Sequence, residues 1–493
     1  MYYPTKNEFF SLAGKGNLIP VYCELLADME TPVSAYQKLR GKGPTFLLES
    51  VEGGEHIGRY SFVGVSPGAT MTQRGNAVIV TEGRKKTRVP FRRDPLEVVE
   101  QVMSRYQPVA LPNLPRFTGG AVGFLGYEFI HYVEPVVPRP KRDDLGTPGM
   151  CFMLADTILI FDRARQTIKV VSNAHIKGDA DAAYNAACRR IATVVAKLRR
   201  PLPTRHIEYR LDVAPLAMES NMPVERYHAM VRKAKEYIKA GDIIQTVLSQ
   251  RFSAKVRAKP LDVYRALRSV NPSPYMFILE LDGFSLVGAS PEVHVRCEDG
   301  KVEIRPIAGT RKRGATPAED LALEKDLLAD EKERAEHLML VDLARNDIGR
   351  VCDFGTVRVE EFMVIERYSH VMHIVTQVEG ALQKTRTVYD LMRATFPAGT
   401  VSGAPKIRAM QIISDQEATQ RGPYAGAVGY FSFNGNLDCC ITLRTAVLKD
   451  GRVYVQAGGG IVDDSTPENE FQETVNKSMA LRKAIALAEG FGK

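Results

Sequence analysis

Residues 425–447 read AGAVGYFSFNGNLDCCITLRTAV. Two runs rich in β-branched and aromatic residues, Ala425–Asn434 and Asp438–Val447, flank the dipeptide Asn434-Gly435. Asn and Gly tolerate the positive φ angles of a tight hairpin turn, so the stretch predicts two antiparallel strands. Upstream, Met276–Leu281, Leu286–Ala289, Val293–Cys297 and Val302–Ile307 carry the same texture, and downstream Val453–Ala457 leads into Gly458-Gly459-Gly460. Nearer the start, Thr45–Glu49, Ala77–Thr81, Met150–Phe161 and Ile168–Val171 read as strands between Gly and Pro turns.

Helical patterns are fewer. Asp179–Leu198 is one; Val224–Ala240 is another, with Tyr227, Val231, Ala234 and Ile238 on one face and Gly241 as the stop. A long helix is expected from about Pro317 to Asn346, and a last one from Thr466-Pro467, a capping residue followed by Pro at the first helical position. Strands in hairpin order with helices grouped between them predict an α+β fold with antiparallel sheets. GGAVGFLGYE (119–128) echoes AGAVGYFSFN (425–434), and two Gly-rich strands with similar packing needs suffice to explain it.

At 493 residues the chain holds two large domains or one elaborate one. The Pro-punctuated segment 199–221 reads as a linker or crossing segment, which divides the chain into regions 1–210 and 223–493. A hydrophobic share of 44% with 25% charged residues excludes disorder and a membrane-embedded chain. The longest apolar run, CFMLADTILIF (151–161), is broken by Asp156, and MYYPTKNEFF has no secretory pattern. Seven Cys without a repeated CxxC read as reduced thiols, so a cytoplasmic protein is expected. The net charge of +8 is spread thinly. Its short clusters, Arg84-Lys85-Lys86 and Arg311-Lys312-Arg313, lack interleaved aromatics and read as solvated faces. Small anionic substrates suit that charge, and neither nucleic acid nor membrane is expected as a partner. Trp is absent although Tyr 19 and Phe 20 are plentiful.

Two carboxylate pairs stand out. Glu333 and Glu336 share a helix face, and Glu470 and Glu473 repeat the spacing in the last helix. Each pair alone reads as an exposed charged face; if the helices meet, four carboxylates converge on a hard cation such as Mg2+, which needs only one or two of them directly. Gly458-Gly459-Gly460, read as a turn, would let backbone N–H groups approach an anion. GTRKRGAT (309–316) and GTVSGAPK (399–406) lack the Lys-Ser/Thr ending of a phosphate loop, and no HExxH, GxSxG or Gly-x-Cys-x-Gly nucleophile setting occurs. His337 and His373 read as core histidines. The residues point to a Mg-dependent enzyme acting on a small anion.

RPIAGTRKRG (305–314), DEKERAEHLMLVDLARNDIGRV (330–351), RYSHVMH (367–373), FPAGTVSGAPKIRAM (396–410), GPYAGAVGYF (422–431), LDCCITLRTA (437–446) and ENEFQETVNK (468–477) follow one another in order. This series resembles the chorismate-utilising enzyme family over nearly the whole chain, and most of all its anthranilate-forming large subunits. The resemblance implies an α+β antiparallel β-sandwich with outer helices and a cleft for chorismate and Mg2+. It implies Glu336 and Glu473 as direct metal ligands, with Glu333 and Glu470 acting through waters or behind them. Arg444 and Tyr424 would grip the enolpyruvyl carboxylate, Gly458 and Gly460 would offer backbone donors, and Thr310, Thr400 and Lys477 would line the cleft. Glu292, in GASPE (288–292), would protonate the departing hydroxyl, and His373 would assist the eliminations. Relatives usually carry Gly-Ala-Gly where this chain has three glycines.

Two positions separate the branches. Relatives that make aminodeoxychorismate carry a nucleophilic Lys at the place of Ala308, and those that add water carry a Lys base at the place of Gln245. Ala and Gln can do neither task, so the resemblance implies a lyase that uses ammonia to make anthranilate and pyruvate, with aminodeoxychorismate synthesis as the alternative. A separate glutamine amidotransferase subunit would deliver the ammonia, as a heterotetramer of two large and two small subunits. Feedback inhibition by L-tryptophan is implied by three elements: Leu48-Glu49-Ser50, the stretch Asn271, Pro272, Pro274, Tyr275 and Met276 in NPSPYMF (271–277), and Cys440. The missing Trp would suit an enzyme needed when tryptophan is scarce.

Overall fold

The echoing segments lie side by side: strand Gly120–Leu125 pairs antiparallel with Ala427–Ser432, each wholly buried. The computed structural model describes residues 1–51, 58–202, 212–368 and 371–491. Its described residues form two 12-stranded sheets. The first runs in the order Leu18–Leu26, Thr167–His175, Thr157–Asp162, Tyr60–Val65, Thr45–Glu49, Tyr275–Leu281, Phe284–Ser290, Thr445–Lys449, Arg452–Ile461, Gln245–Lys255 and Glu219–Ser220. The second centres on Val293–Glu298, Leu437–Ile441, Ala427–Ser432, Gly120–Leu125 and Met150–Ala155.

Strict alternation along these strands aims one row of side chains at the facing sheet. Phe46, Phe62, Phe277 and Leu286 of the first sheet meet Phe124, Met153, Tyr430 and Cys440 of the second in one buried cluster. Helices cover the outer faces. Ala180–Leu198, Pro260–Val270 and Pro467–Glu489 pack on the first sheet through Ile191, Leu267, Leu481 and Ile485. Leu96–Met103, Glu331–Gly349 and Val388–Thr395 pack against the second. The expected α+β sandwich with outer helices is what forms. Strands from before residue 210 and after residue 223 share both sheets, as in the pairing of Thr45–Glu49 with Tyr275–Leu281. The middle of the supposed linker, residues 203–211, lies outside the described residues.

The chain repeatedly passes from one sheet to the other. Met150–Phe161, expected as one run, is two strands: Met150–Ala155 in the second sheet and Thr157–Asp162 in the first, parted at Asp156. Asp438–Val447 likewise divides into Leu437–Ile441 in the second sheet and Thr445–Lys449 in the first. At that crossing Arg444 takes a left-handed conformation, φ +46°, a strained choice for a residue with a Cβ. A third crossing, at Pro291-Glu292, joins Phe284–Ser290 to Val293–Glu298. It is bonded to the second: Ser290 Oγ donates to Ile441 O at 2.6 Å, Ile441 N to Glu292 O at 3.1 Å, and Ala289 N to Arg444 O at 3.1 Å.

The hairpin is present with Gly435 at φ +85°, and the helices Ala180–Leu198, Val224–Lys239 and Pro467–Glu489 begin and end within a residue or two of the predicted limits where limits were given. Two expectations are corrected. The long helix is two helices, Pro317–Ala329 and Glu331–Gly349, because Asp330 leaves the helical conformation and caps the second by accepting from Lys332 N and Glu333 N. Gly458-Gly459-Gly460 is no turn but part of strand Arg452–Ile461, paired with Ser249, Leu248 and Val247.

Candidate functional site

The paired crossings form one wall of a cavity of about 760 Å³. Every residue the sequence nominated for catalysis, substrate or metal lines it: Gln245, Glu292, Thr310, Glu333, Glu336, His373, Thr400, Tyr424, Arg444, Gly458, Gly460, Glu470, Glu473 and Lys477. Residues as far apart in the chain as Gln245 and Lys477 meet there, brought together by the strand crossings and by the first turns of two helices.

The carboxylates form the second wall. Glu333 and Glu336 sit in the first turns of Glu331–Gly349, and Glu470 and Glu473 in those of Pro467–Glu489. Burial and the neighbouring Glu336 raise the Glu333 carboxyl above its usual range, and burial and Glu473 do the same to Glu470. Glu470 Oε1 accepts from Ser465 Oγ at 2.7 Å, while its buried Oε2 has no hydrogen-bond partner. Among the described residues no three His, Cys, Asp or Glu side chains form a metal cage. Mg2+ does not need one: it takes one or two carboxylates and keeps its remaining positions for water and substrate oxygen. Four carboxylates around one cavity, two of them raised by burial and by their neighbours and one with a free buried oxygen, fit that cation. Lys477 Nζ lies 2.6 Å from Glu473 Oε1 and donates to Gly458 O at 3.0 Å.

The glycines permit close approach. A Cβ on Gly458 would stand 2.7 Å from the Tyr424 hydroxyl, one on Gly459 2.6 Å from Glu470 Oε2, and one on Gly460 2.6 Å from Gln245 Nε2. Strand Thr445–Lys449 pairs this strand only as far as Val455, so the edge beyond it faces the cavity.

Glu292 is buried at the crossing, and desolvation pushes its carboxyl up to about 8 against the pull of Thr400, Arg444 and Lys477. It is therefore mostly protonated at neutral pH. Beside it the half-buried Arg444 guanidinium donates to no protein group among the described residues, leaving a planar fork for a carboxylate. His373 Nδ1 stands 3.0 Å from the Gly309 carbonyl and 3.0 Å from Thr310 Oγ1. A carbonyl only accepts, so Nδ1 carries the proton and Nε2 the lone pair; burial lowers the imidazole below its usual value and keeps it neutral. Gln245 Nε2 donates to Glu336 Oε1 at 2.8 Å. His337, by contrast, is a core histidine, buried and bonded to Thr376 Oγ1.

A second cavity of about 480 Å³ lies between the sheets. Leu48, Glu49, Ser50, Pro274, Tyr275, Met276 and Cys440 line it, but Asn271 and Pro272 line the first cavity. Pro274 lines both. The register explains this: Met276 pairs with Glu49 and Phe277 with Leu48, so the strand belongs to the second cavity while its preceding loop turns into the first. Asp438 organises the polar end, accepting from Tyr275 at 2.9 Å and from Arg116 at 3.0 Å.

Sequence reasoning missed several lining groups. Lys332 and Asp464 pair at 2.7 Å across the mouth, and Gln456 and Asn469 line the wall. Only Lys332 had a signal, its place beside Glu333. The Arg311-Lys312-Arg313 cluster is not simply solvated: Arg311 pairs with Asp326, Asp330 and Glu333, and Arg313 with Asp320. All seven cysteines are free thiols.

The chorismate binding enzyme family model matches residues 43–483. Anthranilate synthase component 1 of Acetivibrio thermocellus is 50% identical over 492 residues, 98% of this chain and 99% of that one. The protein of the same name from Aquifex aeolicus is 49% identical over 485 residues, 98% of this chain and 97% of that one. Among solved structures, anthranilate synthase component I from Streptococcus pneumoniae superposes with a TM-score of 0.78 at 38% identity, covering 93% of this chain and 99% of that one. The menaquinone-specific isochorismate synthase of Escherichia coli, 18% identical with a TM-score of 0.70 over 98% of this chain and all of that one, shares the fold.

Proposed function

The chain belongs to the chorismate-binding enzyme family, in its anthranilate synthase component I group, and from that premise we propose how its first cavity works. As a member of that group it is a lyase that turns chorismate and ammonia into anthranilate and pyruvate, opening tryptophan biosynthesis. The observation that carries the site reading is the bonded pair of sheet crossings, which sets a protonated Glu292 beside an unengaged Arg444 and opposite four carboxylates.

Arg444 and the Tyr424 hydroxyl hold the enolpyruvyl carboxylate, and the free edge at Gly458 and Gly460 meets the ring carboxylate with backbone donors. Glu336 and Glu473 would hold Mg2+, with Glu333 and Glu470 behind them, and the ion would supply positive charge opposite the ring carboxylate. Ammonia forms its bond to the ring carbon between the carboxylate-bearing and ether-bearing carbons. The bond to the ring hydroxyl breaks, and Glu292 supplies the proton with which it leaves as water. His373 Nε2 assists removal of the ring proton; the ether bond breaks, pyruvate departs, and the ring becomes aromatic. Thr310 fixes the imidazole, while Thr400 and Lys477 border the substrate. Ala308 lines the cavity without a nucleophile, and the Gln245 amide is committed to Glu336, which disfavours the aminodeoxychorismate and water-adding chemistries.

The ammonia comes from a glutamine amidotransferase subunit, in a heterotetramer of two large and two small subunits in the cytoplasm. No helix among the described residues is long and apolar enough to cross a membrane. The second cavity takes L-tryptophan as inhibitor. The test is the purified chain with chorismate, Mg2+ and ammonium, read by anthranilate fluorescence. Anthranilate is expected; no product, or p-aminobenzoate after a matching lyase is added, overturns the reading.

A further inference from the structure

Behind the cavity wall lies Arg421, the largest of the fully buried side chains among the described residues. Its guanidinium grips Glu417 bidentately, Nε to Oε2 at 2.8 Å and Nη2 to Oε1 at 2.7 Å. Nη2 also donates to Val247 O at 2.7 Å and Nη1 to Val401 O at 2.8 Å. The charge stands 4.5 Å from the Tyr127 ring centroid and 5.4 Å from that of Tyr424. Val247, Val401 and Tyr424 are all cavity-lining residues, on three separate segments of chain. Glu417 extends the tie, accepting from Ser249 N and Oγ, each at 2.8 Å. Glu128 holds the following turn, accepting from Arg421 N at 2.7 Å and Gly422 N at 3.0 Å.

A buried ion pair is a weak source of stability, because desolvating both charges offsets their attraction and apolar residues of equal volume often serve as well. What such a pair does supply is direction: a planar fork with fixed donors locates every acceptor it meets. Here the acceptors are the backbones of strand Gln245–Lys255 and the turn Gly399–Val401, and the flat charge also seats the Tyr424 ring. We propose that Arg421 is a positioning residue that acts through Tyr424, holding its hydroxyl at the place from which it meets the substrate. This rests on the reading that Tyr424 grips a substrate carboxylate. Arg421 itself touches no substrate.

The test is a double-mutant cycle with Arg421→Lys, Tyr424→Phe and both together, read as kcat and KM for chorismate with ammonium as nitrogen source. Lys keeps the charge but lacks the fork. Arg421→Lys is expected to lower kcat/KM about 10- to 100-fold, chiefly through KM, and by less than about 3-fold once Tyr424→Phe is present. An equal loss in both backgrounds, or none, overturns the proposal. If Arg421→Lys does not fold, Glu417→Gln, which keeps the cation and loosens the fork, replaces it in the same cycle with the same outcomes. A crystal structure of whichever variant folds, with the Tyr424 ring unmoved, overturns the proposal even if the wild-type chain proves inactive on chorismate, an outcome that would instead sink the functional reading.

Discussion

Gln245 Nε2 donates to Glu336 Oε1 at 2.8 Å, which ties the start of strand Gln245–Lys255 to the helix that carries two of the four cavity glutamates. The amide is neutral and cannot deprotonate a water, yet it fixes which oxygen of Glu336 stays free. Gln245→Met, of similar volume, is expected to raise the Mg2+ concentration for half-maximal activity about tenfold, as lost supporting bonds to metal ligands do. Titrating activity with Mg2+ checks this, and an unchanged requirement contradicts it.

The carboxylates themselves are tested by removal. Glu336→Gln or Glu473→Gln is expected to abolish anthranilate formation while leaving the circular dichroism spectrum and melting temperature close to those of the parent. EDTA is expected to abolish activity and added Mg2+ to restore it. Retained activity in either variant would place the cation elsewhere.

Glu292 predicts a pH limb. Its folded value, pushed up to about 8 by burial, keeps it a proton donor at neutral pH, so kcat/KM should fall as pH rises through about 8. Linkage has the same sign: the folded state holds a proton that the unfolded chain releases above about 4.5, so this contribution is fully present below that pH and is lost as pH rises through about 8. Glu292→Gln should erase the kinetic limb and raise the melting temperature relative to the parent more at pH 8 than at pH 5. Parallel melting curves across that range would show that Glu292 ionises freely.

The three glycines are expected to differ in tolerance. Ala at 459 clashes with the far end of the Glu470 side chain, at 2.6 Å, which can swing aside, and its other neighbours, Glu470 O and the Tyr227 hydroxyl, stand at 3.6 Å, an ordinary contact. Gly459→Ala should therefore keep activity within about 3-fold, a change worth under 1 kcal/mol. Gly460→Ala strikes Gln245 Nε2, at 2.6 Å, and so the bond to Glu336; it should cost about tenfold or more in kcat/KM. Steady-state kinetics on the two variants decide this.

With no Trp in the chain, its own emission is that of tyrosine, so a shift in indole fluorescence on titration with L-tryptophan reports the ligand directly. Binding to the second cavity is expected to lower activity in the same concentration range. Because Pro274 lines both cavities, Pro274→Gly, which frees the shared wall, should reduce the maximal inhibition while binding changes less than about 3-fold. Inhibition that stays complete would mean that another contact joins the two sites.

Local chemistry wrote much of this protein into its sequence. Thr466-Pro467 starts a helix and Asn434-Gly435 turns a hairpin because capping and positive φ are properties of a few adjacent residues. The Glu-x-x-Glu spacing and the ordered motifs made the cavity residues nameable for the same reason. Tertiary structure alone decided where strands change sheet. A period of two says which side chains point inward but not which sheet the strand joins, so the breaks at Asp156, Pro291-Glu292 and Thr442–Arg444 were invisible as crossings. The strand character of Gly458-Gly459-Gly460 came from pairing with Gln245–Lys255, about two hundred residues away in the chain, and the division of NPSPYMF between two cavities from its register on Thr45–Glu49. Those long-range pairings, settled by burial between the sheets, bring Glu292 to Arg444 and Gln245 to Glu336.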